Sequence, residues 1–486
     1  MTAPRVVILG AGLAGLVAGH ALARRGLAVT LLEAAPMPGG RTSTWRDAQG
    51  REVDTGLHVV ADHYVNLCEV LGQLGVSRHL HWVGKHTYLQ ANHPPLAWSF
   101  SPLRPPLHLL RPAHEMPTTL AERLALARVG VKLARMTQAD LAALDEVTYA
   151  EWHQRHHLGQ GFVHALAEAA CDAATFQPME SAAARPVLSW LKYLMRNRFA
   201  GDVGLFQGTL ADTLVGPLVR SIEAAGGAVR LGVAATGLAL EGRRVVGVET
   251  VETRGVGPLH RADGRVDALP GTHTRVPCDH LISALSVQAL QTLLPPALAV
   301  DAGLGPMLGL TTTPAMSVIL WFDRMIEPMP EGAPLCTGCV MRDFVDLRRL
   351  GREVEAPGSV YQLVLTRAAE RAQHTDAQVV ADALADLRAV WPATRHAQVI
   401  DAAVERIGAA MFAAVPGAHA RRPGVSTRLG GLYLAGDFTH HEYNASMEGA
   451  AFSGRRAANA VLQALGQKPV ALPAVPDPVW GRSPGR

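Results

Sequence analysis

Aromatic residues are scarce in this chain, 5% of 486, and the net charge is only +3. With no basic run interleaved with aromatics, the chain lacks the footprint of a nucleic-acid binder. No uninterrupted apolar stretch reaches the 18 or so residues that a bilayer-spanning helix needs, so none is expected. Five cysteines, an odd number, give no disulfide framework. The first apolar run starts within a few residues of Met1, so no signal peptide is expected, and a reducing cytoplasm is the expected setting. No internal repeat of fixed period is visible. With 48% hydrophobic residues, the chain can bury a large core and is expected to form more than one domain.

What is present is concentrated at the two ends. Residues 5–9 are apolar and β-branched, meet a glycine turn, and lead into a helical stretch over 14–25 that Gly26 stops. Gly10 lets the chain reverse, Gly12 lets the backbone approach a pyrophosphate, and Gly15 lets the helix pack close on the strand. The helix N-terminus then offers free N–H groups to the anion. A second strand over 28–32 ends on Glu33, placed to accept hydrogen bonds from ribose hydroxyls and to repel a 2′-phosphate. The residues point to a dinucleotide with a free 2′-OH, FAD or NAD.

Pro38-Gly39-Gly40-Arg41 follows, then a hairpin turning at 47–50, then Gly56-Leu57-His58. The stretch from Glu33 to Arg41 resembles the Gly-Gly-Arg signature of the flavin-containing amine oxidase and carotenoid desaturase superfamily. The resemblance implies FAD, with backbone and arginine settling its pyrophosphate and ribityl chain. It also implies an α/β fold: a Rossmann-like FAD-binding domain, glutathione-reductase-like and of flavin amine oxidase type, with an inserted α+β substrate domain.

At the other end, 431–437 reads as a buried strand closing on Gly436 and Asp437, and 445–465 as a long helix with small residues on one side. The resemblance implies that Gly436 and Asp437 contact the phosphate and ribityl region and that Met447 is nearest the flavin ring. The positive end of that helix dipole stabilises negative charge growing on the ring as it accepts a hydride.

Segments 148–152, 179–185, 190–195, 208–215 and 226–229, with Gly56-Leu57-His58 and the Ser-Met-Glu-Gly ending, resemble plant- and cyanobacterial-type phytoene and ζ-carotene desaturases. The expected function is therefore FAD-dependent desaturation of a carotenoid or related polyisoprenoid by hydride transfer to flavin N5. A hydroxysqualene-type dehydroxylase or a flavin amine oxidase is the alternative enzyme, and a non-catalytic prenyl-lipid carrier the alternative of another class. Amine oxidases commonly place an aromatic before Met-Glu-Gly; here Ser446 stands there, so an amine cage is harder to build. Such chemistry asks the protein for orientation and a dry cavity, and no proton acceptor or other catalytic residue is named. With no second nucleotide motif, a quinone or dioxygen is the expected electron acceptor.

Other motifs carry less. Gly303, Gly305 and Gly309 imitate a glycine fingerprint but follow prolines and precede Thr311-Thr312-Thr313-Pro314, so the stretch reads as a connector. Cys336 and Cys339 lack the partners of a zinc site or the setting of a redox pair. His153, His156, His157 and His164, and likewise His440 and His441, lack completing ligands, and no metal is assigned.

A discontinuous FAD domain is expected from 1–85, 205–300 and 425–465, a substrate domain from 86–204 and 301–424, and a flexible proline-rich tail over 466–486. A strand at 228–233 gives Val233 as a backbone contact to adenine, and 316–322 reads as a substrate-domain strand. Because each buried CH₂ is worth about 0.8 kcal/mol, a carotenoid-sized substrate is expected to be taken from a membrane directly. Residues 102–136 form the expected docking surface: Leu107, Leu109 and Leu110 among Arg104 and Arg111, then a helix carrying Arg123, Arg128, Lys132 and Arg135. The expected location is cytoplasmic with peripheral membrane contact.

Overall fold

A computed structural model describes residues 3–47, 49–99, 107–109, 114–159, 161–197, 201–254 and 268–475. Arg104, Leu110 and Arg111 of the expected docking surface lie outside these residues, as does the end of the proline-rich tail over 476–486.

The apolar run Arg5–Leu9 is the central strand of a five-stranded parallel sheet. On one side it pairs with Ala28–Glu33 and then Ala228–Leu231; on the other with His280–Ser283 and then Leu432–Leu434. The strand order is third, second, first, fourth, fifth along the chain, that of an open doubly wound sheet. Continuous apolar strands suit it because both faces are covered: Val6 and Ile8 belong to one core cluster, Val7 and Leu9 to another.

The helix Leu13–Ala23 crosses back over this sheet, and its nearest helical neighbour is the closing helix Met447–Ala464. Small residues make that approach possible. A Cβ on Gly454 would lie 2.3 Å from the Ala14 carbonyl oxygen, so only glycine allows the two backbones to touch. The ends of the chain are thereby packed together in one core with Leu16, Val17, Ala451 and Ala458.

A second, antiparallel sheet runs in the order Met341–Asp346, Val360–Leu365, Thr312–Phe322, Val399–Phe412. The expected strand over 316–322 lies inside Thr312–Phe322 and is paired on both sides from Met316 to Trp321. Helix Asp376–Val390 covers one face through Val379, Ala383 and Leu387. Helices Leu120–Arg135, Tyr149–Arg155, Phe162–Thr175 and Ala184–Arg196 form a separate helical layer with its own core around Trp152, Cys171 and Leu188.

The strand expected over 228–233 ends early. Gly232 takes φ +68° and turns the chain out of the parallel sheet, so Val233 begins the antiparallel strand Val233–Glu241 instead. Gly305–Gly309 is a short 3₁₀ turn between the helix Pro296–Asp301 and the strand Thr312–Phe322, with no strand–turn–helix geometry. Among the described residues no helix is long and apolar enough to cross a membrane.

Candidate active site

A cleft of about 350 Å³ runs from the carboxyl end of the first two parallel strands to the antiparallel sheet. At its first end, Gly10 holds φ +92° and donates its N–H to Leu32 O at 2.8 Å, while Gly15 packs so close that a Cβ would fall 2.0 Å from Gly10 O. Gly15 therefore serves the turn from behind and does not line the cleft. Gly12 is different: the nearest atom to a Cβ there is Gly39 O at 3.9 Å, and the added carbon would project into the cleft.

The helix that starts at Leu13 has Gly12 as its N-cap, with no side-chain cap and no acidic residue in its first turn. Its terminal N–H groups therefore have no side chain capping them. That is what a pyrophosphate requires. Gly39 (φ +112°) and Gly40 (φ +55°) bring the next loop against this turn, with Gly39 N–H donating to Ala11 O at 2.8 Å. Glu33 lines the same end. Its carboxylate accepts the N–H of Ala11 at 2.8 Å and of Ala35 at 2.9 Å, and its burial pushes the carboxyl upward against those donors. Each oxygen keeps acceptor capacity for a ribose hydroxyl.

Arg41 spans the two ends of the chain. Its guanidinium donates to both carboxylate oxygens of Asp437, at 2.9 and 2.6 Å, and to Ala410 O at 2.9 Å. The arrangement is a bidentate fork, which fixes orientation as well as distance. Gly436, at φ +137°, donates its N–H to Ser453 Oγ at 2.8 Å, tying the strand end to the closing helix. Gly56, Leu57 and His58 continue along the wall; His58 Nδ1 lies 2.8 Å from Gly56 O, and burial lowers its pKa.

The closing helix begins at Met447, not at residue 445, because Ser446 is its N-cap and accepts the Gly449 N–H at 3.1 Å. Met447 is buried and lines the cleft. Glu448, the acid of the first turn, points elsewhere. Its carboxylate accepts the N–H of Asn66 and of Leu67 at 3.0 and 2.9 Å and the Asn66 side-chain amide at 2.8 Å, capping the helix Val65–Gln73, which has no cap of its own. The N-terminal end of the closing helix thus meets the cleft through Ser446 and Met447, with the Glu448 side chain turned toward the helix Val65–Gln73.

Toward the antiparallel sheet the lining turns apolar, with Ala173 and Phe176 from the helical layer and Met316, Val364, Ile407 and Met411 from the sheet. Tyr64 and Phe176 bring aromatic rings, and Arg342 is the exception in charge. Among the proposed cofactor residues, Gly10, Gly12, Glu33, Gly39, Gly40, Arg41, Gly56, Leu57, His58, Gly436, Asp437 and Met447 share this one cleft; Val233 lies outside its lining.

The sequence reading named Ser446 and Glu448 within their motif without their capping roles, and missed Ser453, Arg342 and Arg422. Buried Arg422 donates to the carbonyls of Asp437, Phe438 and His441 at 3.0, 3.3 and 3.0 Å and so fixes the loop behind Asp437. Burial lowers its pKa to about 10, which leaves it a cation at neutral pH. Among the described residues no cluster of three or more histidines, cysteines or acids could hold a metal; His153 and His164 face each other edge-on, with ring centroids 5.3 Å apart. Cys336 is buried with its thiol pKa pushed up by burial, and both it and Cys339 are free.

Comparison with known proteins gives one answer. The flavin containing amine oxidoreductase family matches residues 13–462. The chain is 26% identical to 15-cis-phytoene desaturase, chloroplastic/chromoplastic, from Solanum lycopersicum over 94% of this chain and 77% of that protein. It is 26% identical to a probable zeta-carotene desaturase from Synechococcus elongatus over 95% and 99%. Among solved structures, an oxidoreductase from Methanosarcina mazei superimposes with a TM-score of 0.68 at 17% identity, covering 94% of this chain and all of that one. Cyclohexylamine oxidase from Brevibacterium oxydans superimposes with a TM-score of 0.67 at 18% identity, over 96% and 100%. The uncapped helix terminus, the carboxylate of Glu33 and the space before Gly12 fit FAD, the cofactor that membership of a flavin containing family calls for. The chain belongs to the flavin containing amine oxidoreductase family and is an FAD-dependent oxidoreductase.

Proposed function

We propose that the protein desaturates a carotenoid or related polyisoprenoid. The observation that carries this reading is the apolar half of the cleft, reached past Met447 and walled by Phe176, Met316, Ile407 and Met411, in a chain aligned almost end to end with carotenoid desaturases. Bound FAD would supply the two-electron acceptor that dehydrogenation of an allylic carbon–carbon bond needs.

The chain's own residues do the rest. Gly12 and the terminus at Leu13 receive the pyrophosphate, Glu33 the ribose, and Arg41 with Asp437 the chain between phosphates and ring. The N-terminus of the helix Met447–Ala464 directs its dipole at the cleft. The apolar walls exclude water. Amine oxidation is disfavoured by Ser446 before Met447, where an aromatic wall of an amine cage would otherwise stand.

A substrate of this kind is taken from a bilayer, and the helix Leu120–Arg135 is the surface for it. Leu120, Leu124 and Val131 are more than half exposed on a helix that also carries Arg123, Arg128, Lys132 and Arg135. A quinone or dioxygen reoxidises the cofactor.

The test is anaerobic. Purified protein releasing FAD on denaturation is mixed with liposomes holding phytoene, ζ-carotene or squalene derivatives, and separately with primary amines. Bleaching of the flavin by a polyene supports the reading; bleaching by amines alone overturns it.

A further inference from the structure

Arg342 stands in the half of the cleft that is otherwise hydrocarbon. It is the second residue of the strand Met341–Asp346, its side chain is 11% exposed, and its guanidinium carbon lies 5.0 Å from the centre of the Phe176 ring. Asp343 Oδ2 accepts the Nε–H at 2.8 Å and lies 2.5 Å from one terminal nitrogen as an ion pair. A guanidinium has five N–H donors, and among the described residues Arg342 makes no other hydrogen bond. Its charge acts on His58 and Tyr64, which line the same chamber.

A purely hydrocarbon ligand gives nothing back for this arrangement. Placing an ion pair against an apolar cavity is costly, and apolar residues of the same volume are commonly as stable or more so. Donors left facing a hydrocarbon carry their desolvation penalty unrelieved. An oxygen on the ligand removes that penalty. The charge state of the pair selects which oxygen: Asp343 already neutralises Arg342, so a carboxylate or diphosphate would give up its hydration to a pair with no net charge.

We propose that Arg342 donates a hydrogen bond to an uncharged oxygen of the ligand, a hydroxyl or a carbonyl, so that the cleft prefers an oxygenated isoprenoid to a bare hydrocarbon chain. This rests on the isoprenoid reading above and deepens it. The oxygen has two sources with one chemistry: an alcohol or ketone on the substrate, or the carbonyl of a quinone acceptor using the same chamber.

The experiment uses the FAD-loaded enzyme and three probes in detergent: squalene, a linear polyprenol of similar length, and a short-tailed benzoquinone. Affinities are read from flavin fluorescence for the wild type, for Arg342→Met, and for Arg342→Met with Asp343→Asn. The double variant removes both charges, so no unpaired carboxylate confounds folding, and retained FAD reports the intact site. The expected result is a loss of about 10- to 100-fold for the polyprenol or the benzoquinone, with squalene unchanged. Whichever oxygenated probe responds identifies the source. If neither weakens, or if squalene weakens equally, Arg342 has no such role. Desaturation of polyenes by a variant whose three affinities match the wild type sinks this inference alone. Failure of every isoprenoid to bind or bleach the wild type sinks the function reading with it.

Discussion

Arg41 and Asp437, 396 residues apart in sequence, meet in two parallel hydrogen bonds of 2.9 and 2.6 Å. The pair closes the circle between the opening strand–turn–helix and the closing strand–helix. It sits at the middle of the cleft, so it is both a joint in the fold and a wall of the cofactor site.

Removing one member therefore has two effects. Asp437 is nearly buried, with a side chain 6% exposed, and Arg41→Ala leaves its charge uncompensated. The expected loss is about 3 kcal/mol in denaturant unfolding, together with FAD lost on gel filtration. Arg41→Gln with Asp437→Asn recovers most of the stability and little of the FAD binding. Full FAD retention in Arg41→Ala would show that the pair is structural alone.

Two glycines four residues or fewer from the same turn separate folding from binding. Gly12 has negative φ, and a Cβ there meets nothing closer than 3.9 Å. Gly12→Ala should fold with stability within about 0.5 kcal/mol of wild type and bind FAD at least tenfold more weakly, because the methyl takes the pyrophosphate's place. Gly15→Ala, with its Cβ 2.0 Å from a backbone oxygen, should instead lower stability by 1–3 kcal/mol or more, about the range of overpacked cores. Thermal unfolding of the FAD-free proteins and FAD titration distinguish the two.

The difference between those glycines was legible in the sequence, because a strand, a turn and a helix are local and each glycine has its own geometric duty. The strands at Arg5–Leu9, Ala28–Glu33 and Leu432–Leu434 were legible for the same reason. Val233 was misplaced because a single left-handed glycine, Gly232, ends the parallel strand, and no pattern of hydrophobicity marks that corner. The capping role of Glu448, and Arg422 altogether, were missed because their partners lie far off in sequence: Glu448 caps a helix 382 residues before it. Arg342 was missed because a charged residue in a strand reads as a solvent-facing position until the fold turns it into a cavity.

Glu448 gives a prediction of its own. It holds three donors at the start of the helix Val65–Gln73, two of them backbone N–H groups. Glu448→Gln keeps the shape but replaces one acceptor with an amide donor facing an N–H. The expected cost is about 1–3 kcal/mol, with faster hydrogen exchange across residues 65–68. Unchanged exchange there would remove the capping role.

Glu405 sets a pH dependence. Burial, with Asp376 and Asp47 nearby, raises its pKa from 4.5 to about 7. The folded state thus binds this proton more tightly than the unfolded chain. Its contribution is fully present below pH 4.5 and is lost as pH rises through about 7. Stability against urea should fall across that window more steeply in the wild type than in Glu405→Gln, which carries no titrating group. Parallel curves for the two proteins would rule Glu405 out as the source.

The helix Leu120–Arg135 separates membrane contact from catalysis. It is held by a capping box between Thr119 and Glu122 and packs through Gly130 and Leu133, so its outer face can change without loosening the helix. That face presents Leu120 at 75% and Leu124 at 52% exposure, beside basic residues. Apolar side chains entering the interface, with each cation near an anionic surface worth about 1 kcal/mol, predict co-sedimentation with anionic vesicles that weakens as salt rises. Leu120→Glu with Leu124→Glu should abolish co-sedimentation while FAD content and turnover of a detergent-dispersed polyene stay unchanged, because neither residue lines the cleft. Undiminished co-sedimentation of that variant would move the docking surface to another face of the protein, whereas turnover lost even in detergent would mean that the helix shapes the substrate chamber itself.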